Sequence, residues 1–153
     1  MPDQDAIVCE IEIAAPPARV FQALTDPVQA RQWGSNPQFE ITLWEMNTRP
    51  GGKWRFISKE KGSGPSAYNV SEFDHHGEIR EIDPPRLLVY TWFANFHEDP
   101  KRKTVVRWDL TPIATGTRLK LTHSGLAQEP KARKDYAGGW PGMLQMIKSH
   151  SEK

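Results

Sequence analysis

The sequence predicts an α+β fold in which one curved antiparallel sheet wraps around a long C-terminal helix, with two short helices after the first strand. Three observations predict it. Residues 7–13 alternate with period two, a succession of alternating stretches runs from Phe39 to His123, and beyond Gly125 the apolar residues recur at helical spacing. A length of 153 residues suits one domain over 1–153 with a substantial core.

In the first stretch Ile7, Cys9, Ile11 and Ile13 face one way while Glu10 and Glu12 face the other, as in a half-buried strand. Pro16 and Pro17 end it, and Pro17 suits the first turn of a helix, where its missing N–H has no partner to lose. Val20, Phe21 and Leu24 carry that helix to Thr25. Asp26 then serves as N-cap and Pro27 as first residue of a second helix, which ends near Trp33 before Gly34 and Pro37.

Phe39, Ile41 and Leu43 alternate in the next element, which leaves Trp44 on the outside. Arg49-Pro50-Gly51-Gly52 reads as a type II turn, after which Trp54, Phe56 and Ser58 share a face. Residues 59–65 read as a polar loop. From Tyr68 to Ile82 the parity slips, since Val70 and Phe73 cannot both point inward, nor can Ile79 and Ile82. A bulge or bend near Gly77 resolves this. Asp83-Pro84-Pro85-Arg86 turns the chain into a strand led by Leu88, Tyr90 and Trp92. A charged loop over 95–103 precedes Val106, Trp108 and Leu110, and the Thr115-Gly116 turn precedes Leu119, Leu121 and His123. Pro130 opens the last helix, whose apolar stripe is Tyr136, Trp140, Met143, Leu144 and Ile147. Pro141 inside it predicts a kink.

Composition narrows the function. Twenty basic side chains against nineteen acidic ones remove the electrostatic argument for nucleic acid or an anionic membrane. A single cysteine, Cys9, excludes an intrachain disulfide and any multi-cysteine metal site. No apolar run approaches the ~20 residues that span a bilayer, and the acidic start differs from a signal peptide. A cytoplasmic protein is the expectation.

The order of motifs is also familiar. Residues 15–27, Trp33-Gly34, Arg49 to Trp54, Gly77 to Leu87, Thr91-Trp92, Gly116 to Leu119 and Gly138-Gly139-Trp140-Pro141 resemble the START/Bet v 1-like superfamily, SRPBCC, whose shared architecture is the helix-grip fold. Within it the chain is similar to the family related to the activator of heat-shock protein 90 ATPase. The resemblance implies a cavity between sheet and C-terminal helix that holds a small hydrophobic ligand. Superfamily members include lipid and hormone carriers, aromatic polyketide cyclases and stress-related proteins. A chaperone partner is the lesser expectation, and no cofactor is implied.

Aromatic residues make up 10% of the chain, enough to line such a cavity as well as to fill a core. The expected ligand-binding set is Trp54, Phe56, Tyr90, Trp92 and Trp108 from the sheet, with Tyr136, Trp140 and Met143 from the helix. His123 joins it as the one ionisable residue that alternation turns inward, able to orient a ligand hydroxyl or to serve a cyclase or hydrolase as an acid–base group. Each of these residues has a plainer reading as core packing, and His123 as a buried neutral imidazole. Trp33 either plugs a pocket end or packs the short helices. His76 and Glu78 share a strand face that His75 does not, so at most two metal ligands converge there, and no metal is expected. Lys101-Arg102-Lys103 reads as a solvated hairpin tip. An outward Trp44 or an edge strand offers a surface for a homodimer, and the exposed sheet face one for a co-chaperone-like contact.

Overall fold

The predicted alternation becomes a sheet whose inner face carries one core. The computed structural model describes residues 5–35, 39–60 and 72–153. The elements run β1 (Ile7–Ile13), α1 (Pro17–Thr25), α2 (Pro27–Gly34), β2 (Phe39–Met46), β3 (Lys53–Glu60), β4 (Phe73–Asp83), β5 (Leu87–Ala94), β6 (Thr104–Ile113), β7 (Gly116–Ser124) and α3 (Pro130–Ser151). All strand pairs are antiparallel, in the order β1-β7-β6-β5-β4-β3-β2. Strands β2 to β7 form a meander, and β1 sits beside β7 at the opposite edge from β2, so α1 and α2 carry the chain across. The sheet curls into a half-barrel that grips α3, which packs on β1, α1 and α2.

Local chemistry explains the joints. Asp26 caps α2 by accepting the Val28 N–H, with Pro27 at the first helical position. Pro27 has no N–H to offer the Ala23 carbonyl one turn back in α1. The Trp33 indole N–H donates to that carbonyl instead, at 2.7 Å. The Arg49–Gly52 turn is type II as expected: the Gly52 N–H donates to the Arg49 carbonyl at 2.8 Å, and Gly51 has φ 80°.

Two strands depart from the sequence reading. In β2 the register slips between Ile41 and Leu43, so the parity reverses and Trp44 and Met46 turn inward opposite Phe56 and Trp54. Trp44 is therefore half-buried and packed on the core, not exposed. In β4 the shift lies between Ile79 and Glu81, beyond the expected place at Gly77. Gly77 meets a different need. The Trp54 ring crosses β4 at this point to donate its N–H to the Thr91 carbonyl at 2.8 Å, and a Cβ on Gly77 would lie 2.0 Å from that oxygen and 2.7 Å from Trp54 Nε1. Lys59 and Glu60 belong to β3 rather than to a loop. The rest of the expected loop, and residues 68–71 of the expected long strand, lie outside the described residues.

Helix α3 continues through Pro141 and is anchored at both ends. At its start the buried Glu129 carboxylate accepts the backbone N–H groups of Glu98 and Asp99 and pairs with Arg102. The Lys101–Lys103 run is thus not a wholly solvated tip. At its end Arg19 donates to the carbonyls of Ser151 and His150, and Glu152 accepts the Ala14 N–H. Between the anchors, residues 138–142 hold three glycines and a proline, roughly 6 kcal/mol poorer in helix propensity than alanines. Their Cβ positions at Gly138, Gly139 and Gly142 face open space.

Candidate functional site

The inner face of the sheet and the middle of α3 meet in a layer of rings. Six of the nine predicted residues, namely Phe56, Tyr90, Trp92, Trp108, Trp140 and Met143, line one void. Leu24, Trp33, Ile41 and Trp44 complete it. Its volume is ≈ 20 Å³, room for about one water molecule. The open cavity expected from the sequence is closed here because the rings pack on one another. Trp44 stacks on Phe56 with centroids 5.0 Å apart, and Trp108 meets Trp140 edge-on at 5.8 Å.

The other three predicted residues sit around this layer. Trp54 packs against Tyr90 and Trp92 at 4.9 and 5.2 Å, with its polar edge committed to Thr91. His123 and Tyr136 belong to a polar knot beside Trp92. Trp140 Nε1–H can only donate, so His123 Nδ1, 3.2 Å away, must accept. The His123 proton therefore sits on Nε2 and is donated to Thr104 Oγ1 at 2.9 Å, which passes its own proton to the Trp92 carbonyl at 2.8 Å. Both nitrogens of a fully buried imidazole are engaged, and burial pulls its pKa down to about 3. His123 is thus held neutral with no lone pair free for a substrate. The Tyr136 hydroxyl accepts the Trp92 indole N–H at 3.0 Å and bonds His97 Nε2 at 2.8 Å.

Alternation hid three further buried ionisable groups, so His123 is not the one inward ionisable residue. His75 keeps step with Phe73 and Ile79 on β4 and stacks on Phe56 at 4.0 Å. Burial lowers its pKa to about 3. His97 comes from the loop after β5 and Glu129 from the start of α3, where no period applies. The expected opposition of His75 to His76 and Glu78 is observed, but His75 lies in the core rather than at a solvated edge. Among the described residues no group of three His, Cys, Asp or Glu side chains could hold a metal ion.

The indole donors give a sharper picture of the site. Trp33, Trp54, Trp92, Trp108 and Trp140 each donate to an acceptor. Among the described residues, buried Trp44 Nε1 has none. A slip of parity was the signal that could have found Trp44, since Phe39, Ile41, Trp44 and Met46 can all turn inward only if the strand bulges between the pairs.

On the opposite face of the sheet lies a groove of ≈ 730 Å³. The ion pairs Lys53–Glu78 and Arg55–Asp74 and the stacked His76 and Phe93 rings form its walls. Its chemistry is that of an exposed charged surface.

A family model described as Activator of Hsp90 ATPase homolog 1-like protein matches residues 14–152. Among solved structures, the chain is similar to protein CV1439 from Chromobacterium violaceum, with TM-score 0.81 and 21% identity over 97% of this chain and 99% of that one. Protein Ms6760 from Mycobacterium smegmatis is similar with TM-score 0.79 and 18% identity, covering 97% and 91%. An AHSA1-like protein from Aeromonas hydrophila gives 0.76 and 19%, covering 96% and 92%. No curated protein matches the chain. At these identities the structural likeness carries the fold alone. No helix among the described residues is long and apolar enough to cross a membrane.

Proposed function

This chain belongs to the Activator of Hsp90 ATPase homolog 1-like family, and from that premise we propose that it binds one small, planar, apolar molecule between the sheet and the middle of α3. The observation that carries the reading is the convergence of seven sheet and helix rings with Met143 on one void beneath the weakest stretch of the helix. Ligand pockets generally enclose ~300–1,000 Å³, so binding requires α3 to yield between its anchors. Residues 138–142 are built to do so, and Met143 adapts to an irregular shape. A cyclase or hydrolase role for His123 is less well supported, because neither of its nitrogens is free.

The test is a calorimetric titration with 2-ethylnaphthalene. One-to-one saturation with a negative heat-capacity change is expected from apolar burial. Absence of saturable binding, with the melting temperature unmoved, overturns the reading. The outer groove supports a second reading, a protein contact of the co-chaperone kind, through its charged walls. It requires that Lys53→Glu abolish chaperone binding while naphthalene binding stays intact.

A further inference from the structure

The walls of the void are short of acceptors, and the shortage has a direction. Trp44 lines it with a buried N–H that finds no acceptor among the described residues. Tyr90 lines it too, and its hydroxyl oxygen accepts the Trp108 N–H at 2.9 Å, with no acceptor among the described residues for the phenolic proton in return. Burial raises the Tyr90 pKa, so that proton stays on at neutral pH. Two donors thus border an otherwise apolar space. A buried donor left without a partner costs ~1–3 kcal/mol, and such groups in a folded protein ask for an explanation. A single water in the void is a poor one. Buried waters typically make ~3 hydrogen bonds, whereas this wall offers a water two donors and only weak acceptors for its own protons, the Met143 sulfur and the already engaged Tyr90 oxygen.

An acceptor joined to an apolar body meets both needs. Resting on the cavity reading above, we propose that the ligand is a planar aromatic molecule bearing a carbonyl-type oxygen, and that Trp44 Nε1 is the donor that selects it, with the Tyr90 hydroxyl as a second donor. The carbonyl oxygen has two lone pairs and no proton, which fits a wall whose unmet groups are donors. A hydroxyl in the same place would bring a proton with only weak acceptors to receive it.

The probes are 2-acetylnaphthalene and 2-ethylnaphthalene, which have closely similar shapes and differ in the acceptor. Without a donor the ketone is the weaker ligand, because its carbonyl must leave water unpaired. Calorimetry on the wild-type protein should show the ketone binding about 3- to 10-fold more tightly, the effect of one well-made hydrogen bond. Trp44→Phe keeps a ring in place and removes the N–H, so the preference should vanish or reverse while 2-ethylnaphthalene still binds. Wild-type protein that binds both probes equally overturns this inference and leaves the cavity reading standing. So does a ketone preference that survives Trp44→Phe. Failure of both probes to bind wild-type protein defeats the cavity reading itself, and this inference with it.

Discussion

The three core histidines make stability depend on pH in a window where carboxylates scarcely contribute. His75 and His123 titrate near 3 in the folded protein because burial opposes the charged imidazole, against ~6.5 in the unfolded chain. The depressed pKa fixes the sign. Between these values the unfolded state binds the proton and the folded state does not, so stability falls as pH falls below about 6.5. From pH 7 to pH 5 each histidine should cost about 2 kcal/mol, a figure that needs only a folded pKa below 5. His97, also lowered by burial, acts in the same direction. Asp74, lowered by its bond to Arg55, withdraws its contribution only at more acid pH. Urea titrations followed by near-ultraviolet circular dichroism at pH 7, 6 and 5 should show a loss of at least about 4 kcal/mol, a large part of the ~5–15 typical of a domain. His75→Phe and His123→Gln should each remove about 2 kcal/mol of the pH dependence, whatever they do to stability at pH 7. A wild-type stability that changes by less than about 1 kcal/mol over this range refutes the reasoning, as does an undiminished slope in both variants.

Two further outcomes follow from the packing. Gly77→Ala should destabilise by about 2–5 kcal/mol, combining a steric clash with the Thr91 carbonyl and loss of the Trp54 hydrogen bond; chemical denaturation measures it, and a cost under about 1 kcal/mol contradicts the crossing of Trp54 over β4. Replacing Gly138 and Gly139 together by alanine, where the new methyls meet nothing, should stabilise α3 by about 1–2 kcal/mol. It should also slow uptake of 2-ethylnaphthalene in stopped-flow fluorescence, and an unchanged rate would remove the helix centre as the yielding wall.

Much of the frame was legible because it rests on short-range chemistry. Period-two alternation placed Leu88, Tyr90, Trp92, Trp108 and His123 inward, and Asp26-Pro27 marked the junction of α1 and α2 where it is found. What escaped depends on partners distant in sequence. The bulge in β2 is fixed by its pairing with β3, so Trp44 could be assigned to either face until that register was known. His97 and Glu129 lie where no period applies, and become buried only when the β5–β6 loop folds onto the start of α3. The expected cavity shrank to a void because ring rotamers, which no pattern of residues specifies, decide whether the same side chains enclose space or fill it.

Ligand binding turns on whether the ring layer opens. The most direct measurement is a proton–nitrogen correlation spectrum of the tryptophan indoles during titration with 2-acetylnaphthalene. Saturable, one-site shifts should appear at Trp44, Trp108 and Trp140, whose rings line the void, while Trp54, committed to the Thr91 carbonyl, moves least. Indole resonances that stay in place at saturating ligand, with shifts confined to the backbone amides of the outer-face residues His76 and Phe93 or absent altogether, would contradict it.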